Sequence, residues 1–158
     1  MSTRIAAVVL LAGVSSAYSA ALLPASEIRL TSADADTLAS HEAGAGTSGV
    51  TGIRTTVVAG APTAAGPYTI RLTIPPNTRI QAHTHRDNRY AVVVAGTWYF
   101  GYGSAADSSL EKALPPGSFY TEPAGVAHFA ETRGEPVTVY ITGYGPTDTN
   151  YLNAPSVR

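Results

Sequence analysis

From Val50 onward, short runs rich in Val, Ile, Thr and Tyr alternate with Gly and Pro clusters: VTGIRTTVVAG, PYTIRLTIPP, RIQAHTH, RYAVVVAGTWYFGYG, SFYTEP, VAHFAET and PVTVYITGYGP. No amphipathic helical pattern intervenes. Evenly spaced short strands bounded by turn residues predict an all-β domain, either a sandwich or a closed barrel. Ser104–Ser109 (SAADSS), followed by Leu110, Glu111 and Lys112, reads as a surface loop between two halves of that barrel. Ahead of the strands, residues 22–42 contain one possible strand at Glu27–Leu30 and a short helix-like Ala/Asp segment. Gly44–Gly49 (GAGTSG) reads as a flexible loop.

The first 21 residues follow a different pattern. A short basic start, Met1–Arg4, precedes an apolar run of ten residues, Ile5–Val14, and a series of small residues, Ser15–Ala21, broken by Tyr18. This is the layout of a secretory signal peptide, with cleavage expected after Ser19 or Ala21. A spanning helix needs roughly 20 apolar residues, so no stable membrane anchor is expected after cleavage. The expected organisation is therefore a signal peptide at 1–21, a lead segment at 22–49, and a β-barrel domain with its C-terminal tail at 50–158. The mature chain is expected in the periplasm or outside the cell.

Composition narrows the chemistry. The 158 residues are 44% hydrophobic and only 13% charged, enough to build a core. Ten Lys and Arg against 11 Asp and Glu exclude a strongly basic nucleic-acid binder. With no cysteine, there is no disulfide framework, thiol nucleophile or Cys-based zinc site. A metal site would have to use His, carboxylates or amides.

Three of the four histidines lie where strands bring them together. In RIQAHTH, the period of two sends Gln81, His83 and His85 to one face. In GSFYTEPAGVAHFAET, a tight turn at Pro123–Gly125 delivers His128 onto a new strand. All three imidazoles can meet inside one barrel. His41, in the Ala/Gly-rich lead, reads as a solvated histidine. Trp98, Tyr99, Phe100, Tyr120, Phe129 and Tyr140 read as core aromatics, some of which can wall a small pocket.

These residues resemble the two motifs of the cupin superfamily, G-x5-H-x-H-x3,4-E-x6-G and G-x5-P-x-G-x2-H-x3-N. The second is met at Gly117, Pro123, Gly125 and His128, with Thr132 where Asn is usual. The first is met at His83, His85 and Gly96, with Asn77 in place of the opening Gly and Arg89 where Glu is usual. Asn still serves a turn that needs a left-handed residue. The motifs span residues 77–132, and flanking segments extend the likeness to about 50–152, resembling small single-domain bacterial cupins with signal peptides. The resemblance implies a jelly-roll barrel of six to eight strands, a homodimer, and a divalent metal held by imidazoles and one carboxylate.

Arg cannot ligate a metal, and three arrangements compete. The loop slips by one so that Tyr90 points inward and Arg89 faces solvent; or Glu122 pairs with Arg89 or itself ligates; or the site is His83, His85 and His128 alone, resembling certain diketone-cleaving dioxygenase cupins. Arg89 and Glu122 otherwise read as an ordinary charge pair or rim residues. Gln81 is phased as a weak oxygen ligand or an outer hydrogen-bond donor, although Gln81 and Thr132 also read as packing or hydrogen-bonding residues. The metal is Fe, Mn, Ni, Cu or Zn. The expected function is a metal-dependent, oxygenase-like enzyme on a small carbonyl or oxygen-rich compound. The alternative is a non-catalytic metal- or ligand-binding cupin, resembling the zinc-binding cupin domain of some anti-sigma factors.

Overall fold

A computed structural model describes residues 27–152 of the chain. The expected signal peptide at 1–21 lies outside the described residues. Among the described residues eleven strands form two antiparallel sheets; setting aside two that are only two residues long leaves nine, one more than the upper end of the six to eight expected. In chain order they are β1 (Ser40–His41), β2 (Arg54–Gly60), β3 (Gly66–Ile74), β4 (Arg79–Thr84), β5 (Arg89–Ala95), β6 (Trp98–Tyr102), β7 (Glu111–Leu114), β8 (Phe119–Glu122), β9 (His128–Glu131), β10 (Val137–Gly145) and β11 (Asn150–Tyr151). One sheet runs β1-β2-β3-β10-β5-β8 and the other β11-β4-β9-β6-β7. From β3 onward each connection crosses between the sheets except the β6–β7 hairpin, which is jelly-roll connectivity.

Alternation places the core between the sheets. Tyr68, Ile70, Leu72 and Ile74 of β3 and Val137, Val139 and Ile141 of β10 point inward, meeting Ile80, Trp98, Phe100 and Ala130 from the other sheet. Burying each large aliphatic side chain contributes roughly 1.5–3 kcal/mol. Gly143 continues the inward row of β10 where a Cβ would stand 2.5 Å from both Asp87 Oδ2 and Tyr68 Oη. Only glycine leaves room for that buried pair.

The lead segment is partly as expected. Its Ala/Asp stretch forms one short helix, α1 (Ser32–Asp36), opened by a reciprocal cap between Thr31 and Asp34. The helix docks on the outer face of β3, where Arg71 reaches Asp36 at 2.6 Å and the Ser32 carbonyl at 3.3 Å. Glu27–Leu30 is irregular rather than a strand. Its large side chains Ile28 and Leu30 stay exposed, so no sheet face rewards pairing there. His41 lies in β1, paired with Thr55 of β2, and is exposed. In the Gly44–Gly49 loop, Gly46, Thr47 and Ser48 are buried. The Thr47 carbonyl accepts from Thr149 Oγ1 and the Ser48 carbonyl from Tyr151 Oη, which holds this loop against the barrel.

Two left-handed turns support the motif reading. Asn77, at the usual glycine position, has φ 55°. Gly96 has φ 71° between β5 and β6, and a Cβ there would meet the Pro136 carbonyl oxygen at 2.2 Å. Gly96→Ala is expected to destabilise the fold by roughly 2–4 kcal/mol, combining left-handed strain with a backbone clash. Urea unfolding of that variant checks it; a loss below about 0.5 kcal/mol would contradict this account of the turn.

Candidate metal centre

The two sheets contribute different chemistry to one interior point. His83 on β4 and His128 on β9 are directly opposite one another in neighbouring strands, and His85 follows β4 by one residue. From the facing sheet come Arg89 of β5 and Glu122 of β8, also cross-strand partners. The first loop is stitched to the second motif: Gly125 N–H donates to the His85 carbonyl at 2.8 Å, and Ala124 N–H donates to Asn88 Oδ1 at 2.9 Å. The turn itself closes when Val126 N–H donates to the Pro123 carbonyl, with Gly125 at φ 72° supplying the left-handed corner.

The three imidazoles form one buried cluster whose potential ligand atoms lie within 4.8 Å of one another. His83 Nδ1 contacts the Gln81 carbonyl at 2.7 Å, His85 Nδ1 the Asp148 carbonyl at 2.5 Å, and His128 Nδ1 the Val126 carbonyl at 3.0 Å. A carbonyl oxygen only accepts, so each Nδ1 carries the proton and each Nε2 presents a lone pair. This is the tautomer a metal needs, oriented by the backbone. His128 Nε2 is buried and has no hydrogen-bond partner among the described residues. An orphaned lone pair of that kind is what a cation would satisfy.

Burial also holds the rings neutral. It is the main cause pulling His83 and His128 down to about 4 and His85 to about 2. The neighbouring imidazole adds to the effect at His83, and the Arg89 guanidinium adds to it at His85 and His128. At neutral pH no proton competes for the three Nε2 atoms. The donor set therefore fits a divalent first-row metal.

Solved structures place this architecture. The polyketide cyclase RemF from Streptomyces resistomycificus matches with a TM-score of 0.66 at 13% identity, over 83% of this chain and 89% of that one. An RmlC-like cupin from Shewanella frigidimarina matches with a TM-score of 0.54 at 15% identity, over 77% of this chain and 94% of the other. The fold is a cupin-type jelly-roll barrel. A chain from crystal structures of DMSP lyases matches at a TM-score of 0.50 and 20% identity over 60% of this chain; this chain spans about half of that one, 48%. No protein-family model and no curated protein matches the chain.

Within this cupin barrel, three expectations about side-chain direction are corrected. Gln81 is exposed, and only its backbone carbonyl reaches the site. The register of β4 against β9 gains one residue between Ile80 and His83, so a β-bulge brings His83 inward after Ala82 and turns Gln81 out. Tyr90 is 54% exposed and stacks on Phe119 at the surface, whereas Arg89 is 3% exposed. There is no slip: His83, His85, Asp87 and Arg89 alternate inward without a break. Arg89 and Glu122 are not rim residues either, since Glu122 is 5% exposed.

Arg89 is tied down from several sides. Its Nη1 donates to His85 Nε2 at 3.1 Å, and its Nη2 donates to Thr147 Oγ1 and, at 3.2 Å, to the Asp148 carbonyl. Thr147 in turn donates to Asp87 Oδ1, and Tyr68 Oη donates to Asp87 Oδ2 at 2.7 Å. Asp87 was missed, although it is the acidic residue in the run HTHRDNR, two positions before Arg89. Thr147 and Asp148 carried no signal, because they meet the site only through the return of the chain from β10 to β11.

The remaining residues behave as structural groups. Thr132, at the usual Asn position, is buried, accepts from Thr78 N–H at 2.9 Å and donates to the Pro75 carbonyl. Trp98, Phe100 and Tyr120 line the cavity, and the Phe100 ring stacks on His128 with centroids 5.5 Å apart. Phe129 is buried against Gly101 on the other side of the sheet, while Tyr99 carries the Arg133 guanidinium over its ring. Tyr140 is half-buried.

Proposed function

We propose that this chain is an exported cupin that binds one divalent metal through Nε2 of His83, His85 and His128 and acts as a metal-dependent enzyme on a small carbonyl or oxygen-rich compound. The observation that carries the reading is the convergence of three neutral imidazoles, each with its Nδ1–H held by a backbone carbonyl and its lone pair directed inward. When bound, the metal supplies Lewis-acid polarisation of an oxygen donor at an open coordination position. The protein's part is to hold the imidazoles in one tautomer, keep them unprotonated, and keep the site dry behind Trp98, Phe100 and Tyr120. The fold is shared with a polyketide cyclase and with DMSP lyases, but one fold hosts many functions, so the enzymatic reading rests on the site. Export rests on the leader pattern of residues 1–21.

The enclosed space is about 30 Å³, room for an ion with about one or two waters. A substrate therefore gains access by displacing lining groups. Besides His85, those outside the sheets are Gly46, Thr47, Ser48 and Thr149. The same small volume favours a second reading, a non-catalytic metal binder or sensor.

Turnover separates the two. Protein loaded in turn with Fe, Mn, Ni, Cu and Zn is incubated with a panel of diketones, catechols and other small carbonyl compounds, following substrate loss and dioxygen uptake. Substrate loss abolished by His128→Ala supports the enzyme, and accompanying dioxygen uptake identifies it as an oxygenase. Stoichiometric metal with no turnover on any substrate supports the binder.

A further inference from the structure

We infer that Glu122 is the anionic fourth ligand of the metal site, supplied from β8 in place of the carboxylate that β5 lacks at Arg89. The inference rests on the three-histidine reading above and deepens it. Arg89 and Glu122 are cross-strand partners that both point into the barrel. A ligand lost from one strand can therefore be replaced from the next without moving the site.

The distances around Glu122 are those of ligands sharing an ion rather than of hydrogen bonds. Its Oε2 lies 3.4 Å from His85 Nε2 and 3.8 Å from His128 Nε2. Both nitrogens carry lone pairs, because their protons are on Nδ1. Acceptors facing one another need a cationic donor or an ion between them: Arg89 Nη1 fills that place on the His85 side, at 3.1 Å from His85 Nε2 and 3.5 Å from Glu122 Oε2, whereas among the described residues nothing fills it between Glu122 and His128 Nε2. Two neighbouring ligands each about 2.0–2.2 Å from one metal stand roughly 3.0–3.5 Å apart, a range that includes the 3.4 Å to His85 Nε2 and lies just short of the 3.8 Å to His128 Nε2. A buried carboxylate also needs donors, and Glu122 has one, Arg89 Nη1 at 3.5 Å, the outer limit of a hydrogen bond.

Charge counting points the same way. The interior holds one guanidinium, Arg89, between two buried carboxylates, Asp87 and Glu122. Asp87 is satisfied by Tyr68 and Thr147 and sits 3.5 Å from Arg89 Nε. Glu122 is the carboxylate left over, and it faces the imidazoles. Arg89 is then a positioning residue: it borders the site, competes for His85 Nε2, and restrains the carboxylate from one side.

The test is metal affinity and Co²⁺ absorption of the full-length mature protein, measured against a chelator. For Glu122→Gln, nearly equal in size, Zn²⁺ and Co²⁺ affinity is expected to fall by about 10- to 100-fold or more, with the Co²⁺ d–d bands displaced and the metal-free circular dichroism spectrum kept. Arg89→Met is expected to bind Co²⁺ more tightly than the unaltered protein and to show a larger metal-induced rise in Tm, since the competing cation is gone while the carboxylate stays. Unaltered affinity and an unaltered Co²⁺ spectrum in Glu122→Gln would overturn the assignment and leave a site of three histidines alone. If Glu122→Gln fails to fold, weakened Co²⁺ binding in Arg89→Met overturns it, because Glu122 would then serve only as Arg89's counter-ion. No binding of either metal by the unaltered protein would overturn the metal reading itself.

Discussion

His128→Ala protein is expected to carry roughly a tenth of an equivalent of metal or less, where the unaltered chain carries close to one. His128 combines the deepest burial in the cluster, 1% exposure, with an Nε2 that no group among the described residues satisfies. Removing it takes away one of three imidazole donors and leaves a gap beside Phe100 that water fills poorly. The metal-free fold loses much less. Losing an unsatisfied buried nitrogen offsets part of the lost packing on Phe100, so metal-free stability is expected to fall by only about 1–2 kcal/mol. Elemental mass spectrometry and thermal unfolding of the same samples separate the two effects. Equal metal content in both proteins would remove His128 from the site. Absence of metal from both, even after reloading, would mean that the imidazoles serve packing alone.

Metal-free protein is expected to lose stability steeply between about pH 6.5 and about pH 4. Buried His83 and His128 accept a proton only near 4, whereas the same residues in the unfolded chain accept one near 6.5. Above 6.5 both states hold neutral imidazoles and the linkage contributes nothing. As pH falls through the window, only the unfolded chain gains protons, and stability is lost by roughly 3 kcal/mol for each of these two residues. His85, held down to about 2, extends the loss further into acid. Glu122 opposes the trend, because burial raises its carboxyl and the folded state keeps that proton at pH values where the unfolded chain has released it. Three imidazoles against one carboxyl leave the net slope downward. A fall in Tm of roughly 10 °C or more between pH 7 and 4.5, measured with chelator present, is the expected result. A flat Tm across that range would show that the rings are not neutral and buried in solution. Bound metal should displace the fall to lower pH, since protons must first compete for the Nε2 atoms.

Alternation of apolar residues and the spacing of Gly and Pro were enough to determine an all-β domain, because the period of two and the turn chemistry are local properties of the chain. The same local rules placed His83 and His128 on strands that meet, with His85 one residue beyond, while the left-handed turn expected at Asn77 came from the motif resemblance. They left open whether Arg89 or Tyr90 points inward, because residues 85–88 form a bend rather than a strand and period-two alternation need not hold across it. What they did not contain was pairing between strands. One extra residue in β4 against β9 turned Gln81 outward and set His83 opposite His128, and no property of RIQAHTH by itself announces that bulge. Likewise, only the register of β5 on β8 decided that Glu122 stands across from Arg89, and only the path from β10 to β11 brought Thr147 and Asp148 onto the guanidinium. Those contacts join residues about 33 to 59 positions apart. They depend on how the sheets close rather than on neighbouring side chains, and so the three imidazoles were legible in the sequence while their charged surroundings waited for the tertiary structure.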